Sequence, residues 1–78
     1  MLNKKLSLVI SFNKTTDAMM VEEYCLKNNV KGRLIPLPKE ISAGCGLAWK
    51  CDIGERDNMI KVLDDIGIVY DKISEIMI

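Results

Sequence analysis

The chain has no histidine, two prolines, one phenylalanine and one tryptophan among its 78 residues, and no excess of either charge. Each shortage excludes something. Without histidine there is no Cys–His catalytic pair, and with no clustered Cys, Asp and Glu a zinc site is unsupported. Eleven basic residues balance eleven acidic ones, and no Lys/Arg run exceeds Lys4-Lys5. That argues against nucleic acid as a partner, because backbone binding needs a positive patch and single strands need an aromatic platform. No apolar run approaches the ~20 residues of a membrane span, so no membrane partner is expected. Leu6 to Phe12, after two lysines, imitates a signal peptide, but it is short, broken by serines and lacks a small-x-small cleavage site. Three irregularly spaced cysteines fit a reducing compartment better than a disulfide scaffold. The expected location is cytoplasmic, and no cofactor or metal is expected.

What is present fits one small domain over residues 1–78, burying ~60–65% of its unfolded surface. Leu6, Leu8, Ile10 and Phe12 alternate with Ser7, Val9 and Ser11, the period of a strand with one buried face. Thr16, Thr15 or Asn13 then caps a helix running to about Asn28, with Ala18, Val21 and Cys25 inward, flanked by Met20 and Tyr24. Met19 and Met20 read as helix packing. Gly32 to Leu37 is a second strand, placed at a sheet edge because proline cannot donate to a ladder. After a loop from Pro38 to Gly46, Leu47, Trp49 and Cys51 alternate with Ala48, Lys50 and Asp52. Gly54 to Ile66 is a second helix, with Met59, Ile60, Leu63 and Ile66 on one side and Gly67 as its cap. Ile68 to about Met77 is the last strand.

The order β-α-β-β-α-β is the ferredoxin-like, split-βαβ pattern. It implies an α+β two-layer sandwich, an antiparallel sheet of order 4-1-3-2 and both helices on one face. The other face should stay open, with Ser7, Ser11, Lys50 and Asp52 on it. This topology brings the end of the first strand, the start of the first helix and the Pro38–Gly46 loop to one edge.

Cys25 and Cys51 fall on apolar stripes and read as core. Cys45 lies between Gly44 and Gly46, in a loop longer than hairpins usually need. Without a base in reach by motif, its activation would come from backbone N–H groups, the helix dipole or a cation such as Lys39. Ile41, Ser42, Ala43, Gly44 and Gly46 would line the site, and Thr15 and Thr16 at the helix start would help hold an anion. Cys45 and Cys51 are too far apart along the chain for a local disulfide.

The run Gly32-Arg33-Leu34-Ile35-Pro36 to Ser42-Ala43-Gly44-Cys45-Gly46 resembles a small bacterial family, formerly a domain of unknown function and now described as selenium/sulfur carrier-like. Phe12, Thr16-Asp17-Ala18 and Gly67-Ile68 agree with it, so the likeness spans nearly the whole chain. The resemblance implies that Cys45 carries the chalcogen as a persulfide or selenopersulfide. Its partners would be a donor such as a cysteine desulfurase and an acceptor enzyme, making the protein a carrier rather than a stand-alone enzyme. Two other readings stay open. One is a small-anion or metabolite-binding module in which Gly44-Cys45-Gly46 is a backbone pocket. The other is a partner domain, or homo-oligomer, acting through the sheet face or an edge strand.

Overall fold

The computed structural model describes residues 4–41 and 45–78. Four strands and two helices follow one another as β1 (Leu6–Phe12), α1 (Thr15–Lys27), β2 (Arg33–Pro36), β3 (Leu47–Asp52), α2 (Arg56–Asp65) and β4 (Tyr70–Met77), with a 3-10 turn, Ile53–Glu55, leading into α2. The sheet is antiparallel with order β2-β3-β1-β4, the ferredoxin-like arrangement expected. β1 and β3, the cleanest alternators, are central, and proline-bearing β2 is an edge.

One face of the sheet carries the main core. Leu8, Ile10 and Phe12 of β1 and Trp49 and Cys51 of β3 pack with Ala18, Val21 and Cys25 of α1 and Met59, Val62 and Leu63 of α2. Each Leu, Ile, Val, Phe or Met side chain among them, taken out of water, stabilises the fold by roughly 1.5–3 kcal/mol. Period two in the strands and period 3.6 in the helices aim these residues at one another.

The opposite face departs from expectation. Ser7 and Ser11 are fully buried, and so is Val9 between them. The loop after β2 folds back over the sheet and seats Ile41 on Val9 and Ala48, with Ile35, Leu37, Ile76 and Ile78 around them. Both serines tolerate burial because they are hydrogen-bonded. Ser7 Oγ donates to the Lys5 carbonyl at 3.2 Å. Ser11 Oγ donates to Asp71 Oδ2 at 3.3 Å and accepts from the Lys72 N–H at 3.2 Å, beside the register shift where β1 meets the start of β4.

Several boundaries also move. Lys14, not a threonine or Asn13, is the N-cap of α1, and no side chain caps it. Its carbonyl accepts the N–H groups of Asp17 and Ala18, so the helix starts with Thr15 already in the first turn. At the other end Asn28 is the C-cap, its side chain donating to the Tyr24 carbonyl at 2.9 Å, and Asn29 takes the left-handed turn at φ 55°. In α2 the 3-10 turn displaces the start from Gly54 to Arg56, and the buried stripe runs through Met59, Val62 and Leu63, which leaves Ile60 exposed. Met19 and Met20 are exposed rather than packed. The last strand begins at Tyr70, because Ile68 drops into the core and Val69 is left in solvent.

Candidate functional site

The β2–β3 connection is held at three points. The Leu37 N–H donates to the Gly46 carbonyl at 2.9 Å, adding one rung beyond the Pro36↔Leu47 pair. Ile41 closes a turn by donating its N–H to the Pro38 carbonyl at 3.0 Å, and its side chain is only 6% exposed. The third point is Cys45, whose N–H donates to the Phe12 carbonyl at 3.0 Å.

That last bond lies outside the regular ladder. β1 and β3 pair in register as far as Ser11↔Ala48, so continuing the register would set Phe12 opposite Leu47. Cys45 instead reaches Phe12 because Gly46, at φ +86°, turns the chain back toward β1. Glycine adopts this conformation without the Cβ penalty other residues incur. Among the described residues outside its two chain neighbours, nothing lies within 4 Å of where a Gly46 Cβ would stand. The cysteine is therefore fastened by its backbone to the last residue of β1, three residues before Thr15 opens α1.

The side chain of Cys45 is half-buried against the edge of the main core. Its thiol lies 3.8 Å from the Leu47 carbonyl, a long S–H···O contact. The other two thiols differ in kind. Cys25 and Cys51 are inside the core, and burial pushes each from the ordinary 9.0 to about 11. For Cys51 the carboxylates of Glu55 and Asp52 and the thiol of Cys25 add to that burial effect. Both are held as thiols at neutral pH, and the thiolate is the nucleophilic form.

The other residues expected to line the site are placed as follows. Gly46 is exposed beside Cys45, and Thr15 and Thr16 are exposed in the first turn of α1. Ile41 points the other way, under the loop, where it anchors the loop to the sheet. Ser42, Ala43 and Gly44 lie outside the described residues. Sequence reasoning missed Phe12 as the acceptor that fixes Cys45, because a backbone carbonyl carries no residue-type signal. The end of α2 and the start of β4 also come to this end of the sheet, bringing Asp64, Asp65 and Asp71. Among the described residues, no three Cys, Asp or Glu side chains gather as a metal-binding group. No described helix is long and apolar enough to cross a membrane.

These features define a class: a ferredoxin-like α+β domain presenting one half-exposed loop cysteine at the edge where β1 gives way to α1. The particular family follows from comparison. A family model described as "Putative Se/S carrier protein-like" matches residues 7–75, and the chain belongs to this family. No curated protein and no solved structure matches it.

Proposed function

We propose that the protein carries sulfur or selenium on Cys45, between a donor enzyme's persulfide and an acceptor enzyme. The observation that carries this reading is the contrast among the three thiols: Cys45 alone is half-exposed, on a loop pinned to the end of β1, while Cys25 and Cys51 are buried. The family description as a Se/S carrier supports the cargo.

The chemistry is an exchange with no net redox change. The Cys45 thiolate attacks the outer sulfur of a donor cysteine persulfide. A bond forms from Cys45 Sγ to that sulfur, the donor's S–S bond breaks, and the donor thiolate leaves. In the second step an acceptor nucleophile attacks the same outer atom and the Cys45 thiolate is the leaving group. Selenium passes by the same two displacements through an S–Se bond. Such a carrier needs surface access for the thiol and its extra atom, and the half-exposed position of Cys45 supports this. The first turn of α1 opens three residues after Phe12, the tether of Cys45, and would add the partial positive charge of a helix start, offset by Asp17 in that turn.

The test is intact-mass analysis after incubation with a cysteine desulfurase and cysteine. The wild type and a Cys25→Ala/Cys51→Ala double variant are expected to gain one sulfur each, and Cys45→Ala none. No gain by the wild type, or an undiminished gain by Cys45→Ala, overturns the reading.

A further inference from the structure

The opposite end of the sheet holds a second feature that the cysteine chemistry does not use. A cleft of about 290 Å³ opens across the bottom of β2 and β3, lined by Lys5, Lys31, Arg33, Lys50 and Asp52, with Gly32 and Cys51 completing its wall. Four positive charges face one negative charge there, in a chain whose net charge is zero. β1 rises ~3.4 Å per residue, so this end lies roughly 20 Å from the Phe12 end that holds Cys45.

Three of the four cations are left without an ion pair among the described residues. Lys5 Nζ pairs with Asp52 Oδ1 at 2.6 Å. That contact first, then Lys31 and Lys50, hold the Asp52 carboxyl below its usual range. Among the described residues Lys31, Arg33 and Lys50 have no ion-pair partner. Arg33 and Lys50 are moreover direct cross-strand partners. Like charges at such positions destabilise a sheet unless something neutralises them. Next to the cleft, Trp49 Nε1 is buried without an acceptor among the described residues, and it lies 2.5 Å from where a Gly32 Cβ would stand. An unpaired, uncharged N–H donor therefore lies behind Gly32, on the side that a side chain there would fill.

We propose that this cleft binds a small, multiply charged oxyanion, a diphosphate or phosphate ester, between Arg33, Lys50 and Lys31. Arginine's planar fork suits paired phosphate oxygens and the two lysines serve as point charges. The cleft is near the lower size limit of small-molecule sites, which suits a compact ligand better than a protein surface. This site is independent of Cys45.

The experiment is a ¹H–¹⁵N titration of the full chain with inorganic pyrophosphate, inorganic phosphate and an oligoglutamate peptide, at fixed ionic strength. Expected are saturable shifts at the amides of residues 31–33 and 50–52 with pyrophosphate, weaker binding of phosphate, and at least tenfold weaker pyrophosphate binding by Arg33→Gln/Lys50→Gln. Lys31→Gln, a change outside the strands, should weaken binding in the same direction and covers the case in which the double variant misfolds. Lys61→Gln on α2 should change nothing. Without ligand, the double variant should melt a few °C higher than the wild type because the like-charge pair is gone. Non-saturable shifts, equal binding by the variants, or tighter binding of oligoglutamate than of pyrophosphate would each overturn the proposal.

Discussion

The two faces of this sheet are both covered, by different means. Two helices cover one, through a continuous cluster of buried residues; the β2–β3 loop covers part of the other, through Ile41 on Val9 and Ala48. The helix-covered face holds Cys25 and Cys51 as inert packing. The loop is held by the Ile41 side chain and by backbone bonds from Leu37 and Cys45, and at its far end the Cys45 side chain packs against the edge of the helix-covered core. The domain thus keeps its larger core under the helices and sets its half-exposed thiol on the connection between two strands.

The sharpest way to break the helix-covered layer lies at its rim. Gly32 takes φ +137° directly against the Trp49 indole, and a Cβ there would meet ring atoms at 2.5–2.6 Å. The ring is buried and cannot move aside. Gly32→Ala combines overpacking with left-handed backbone strain, so a loss of about 3–5 kcal/mol in urea unfolding is expected. Such a loss rivals the whole stability of a chain this size.

Next in size is the contrast between layers. Leu63→Ala opens a cavity under α2 and should cost about 3 kcal/mol. Ile41→Ala should cost about 2 kcal/mol, at the low end for such truncations, since the loop can settle onto the sheet. The two variants should also separate in thiol labelling under native conditions. Ile41→Ala is expected to speed alkylation of Cys45 several-fold and leave Cys25 and Cys51 protected. Leu63→Ala is expected to expose Cys25 and Cys51 at least as much as Cys45. Equal labelling patterns in the two variants would show that the layers are not independent.

The buried thiols give the helix-covered layer a pH signature. Each is pushed from 9.0 to about 11 in the folded state. Above pH 9 the unfolded chain loses these protons while the folded chain keeps them, so the unfolded state binds fewer protons and stability falls with rising pH. The stabilising contribution is complete below pH 9 and is lost between about 9 and 11. Urea midpoints measured across that window should fall in the wild type and fall less in Cys51→Ala. A flat profile would mean that neither thiol is sequestered.

Much of this layout was readable in the residues. Alternation in β1 and β3, the 3.6-residue stripe of α1 and the prolines of β2 were enough for the topology, because each reports burial directly. The loop-covered face was misread, since Ser7 and Ser11 look solvent-facing and only their bonds to Lys5, Asp71 and Lys72 make burial tolerable. The α1 cap was misplaced because Asn13, Thr15 and Thr16 are all good capping types, and the choice fell to backbone geometry at Lys14. At the site, the singular position of Cys45 was legible from its glycine neighbours. The bond that fixes it was not, because it joins two backbone groups from elements distant in sequence.

The smallest expected effect bears most closely on function. Gly46→Ala meets no atoms of the described residues beyond its chain neighbours, so the cost assigned to it is the left-handed backbone at φ +86°, about 1–2 kcal/mol. That strain is relieved if the chain reverts toward regular pairing, which would set Leu47 opposite Phe12 and carry the Cys45 N–H away from the Phe12 carbonyl. The expected result is a melting point lowered by several °C, less than for the variants above, with altered Cys45 chemistry: the Cys45 amide loses hydrogen-exchange protection, and sulfur uptake from a desulfurase slows several-fold. Gly32→Ala should do the reverse, unfolding the chain without acting on Cys45 in the fraction that remains folded. If Gly46→Ala accepts sulfur at the wild-type rate while its Cys45 amide exchanges freely, the backbone tether to β1 has no part in presenting the thiol, and exposure of Cys45 alone accounts for its reactivity.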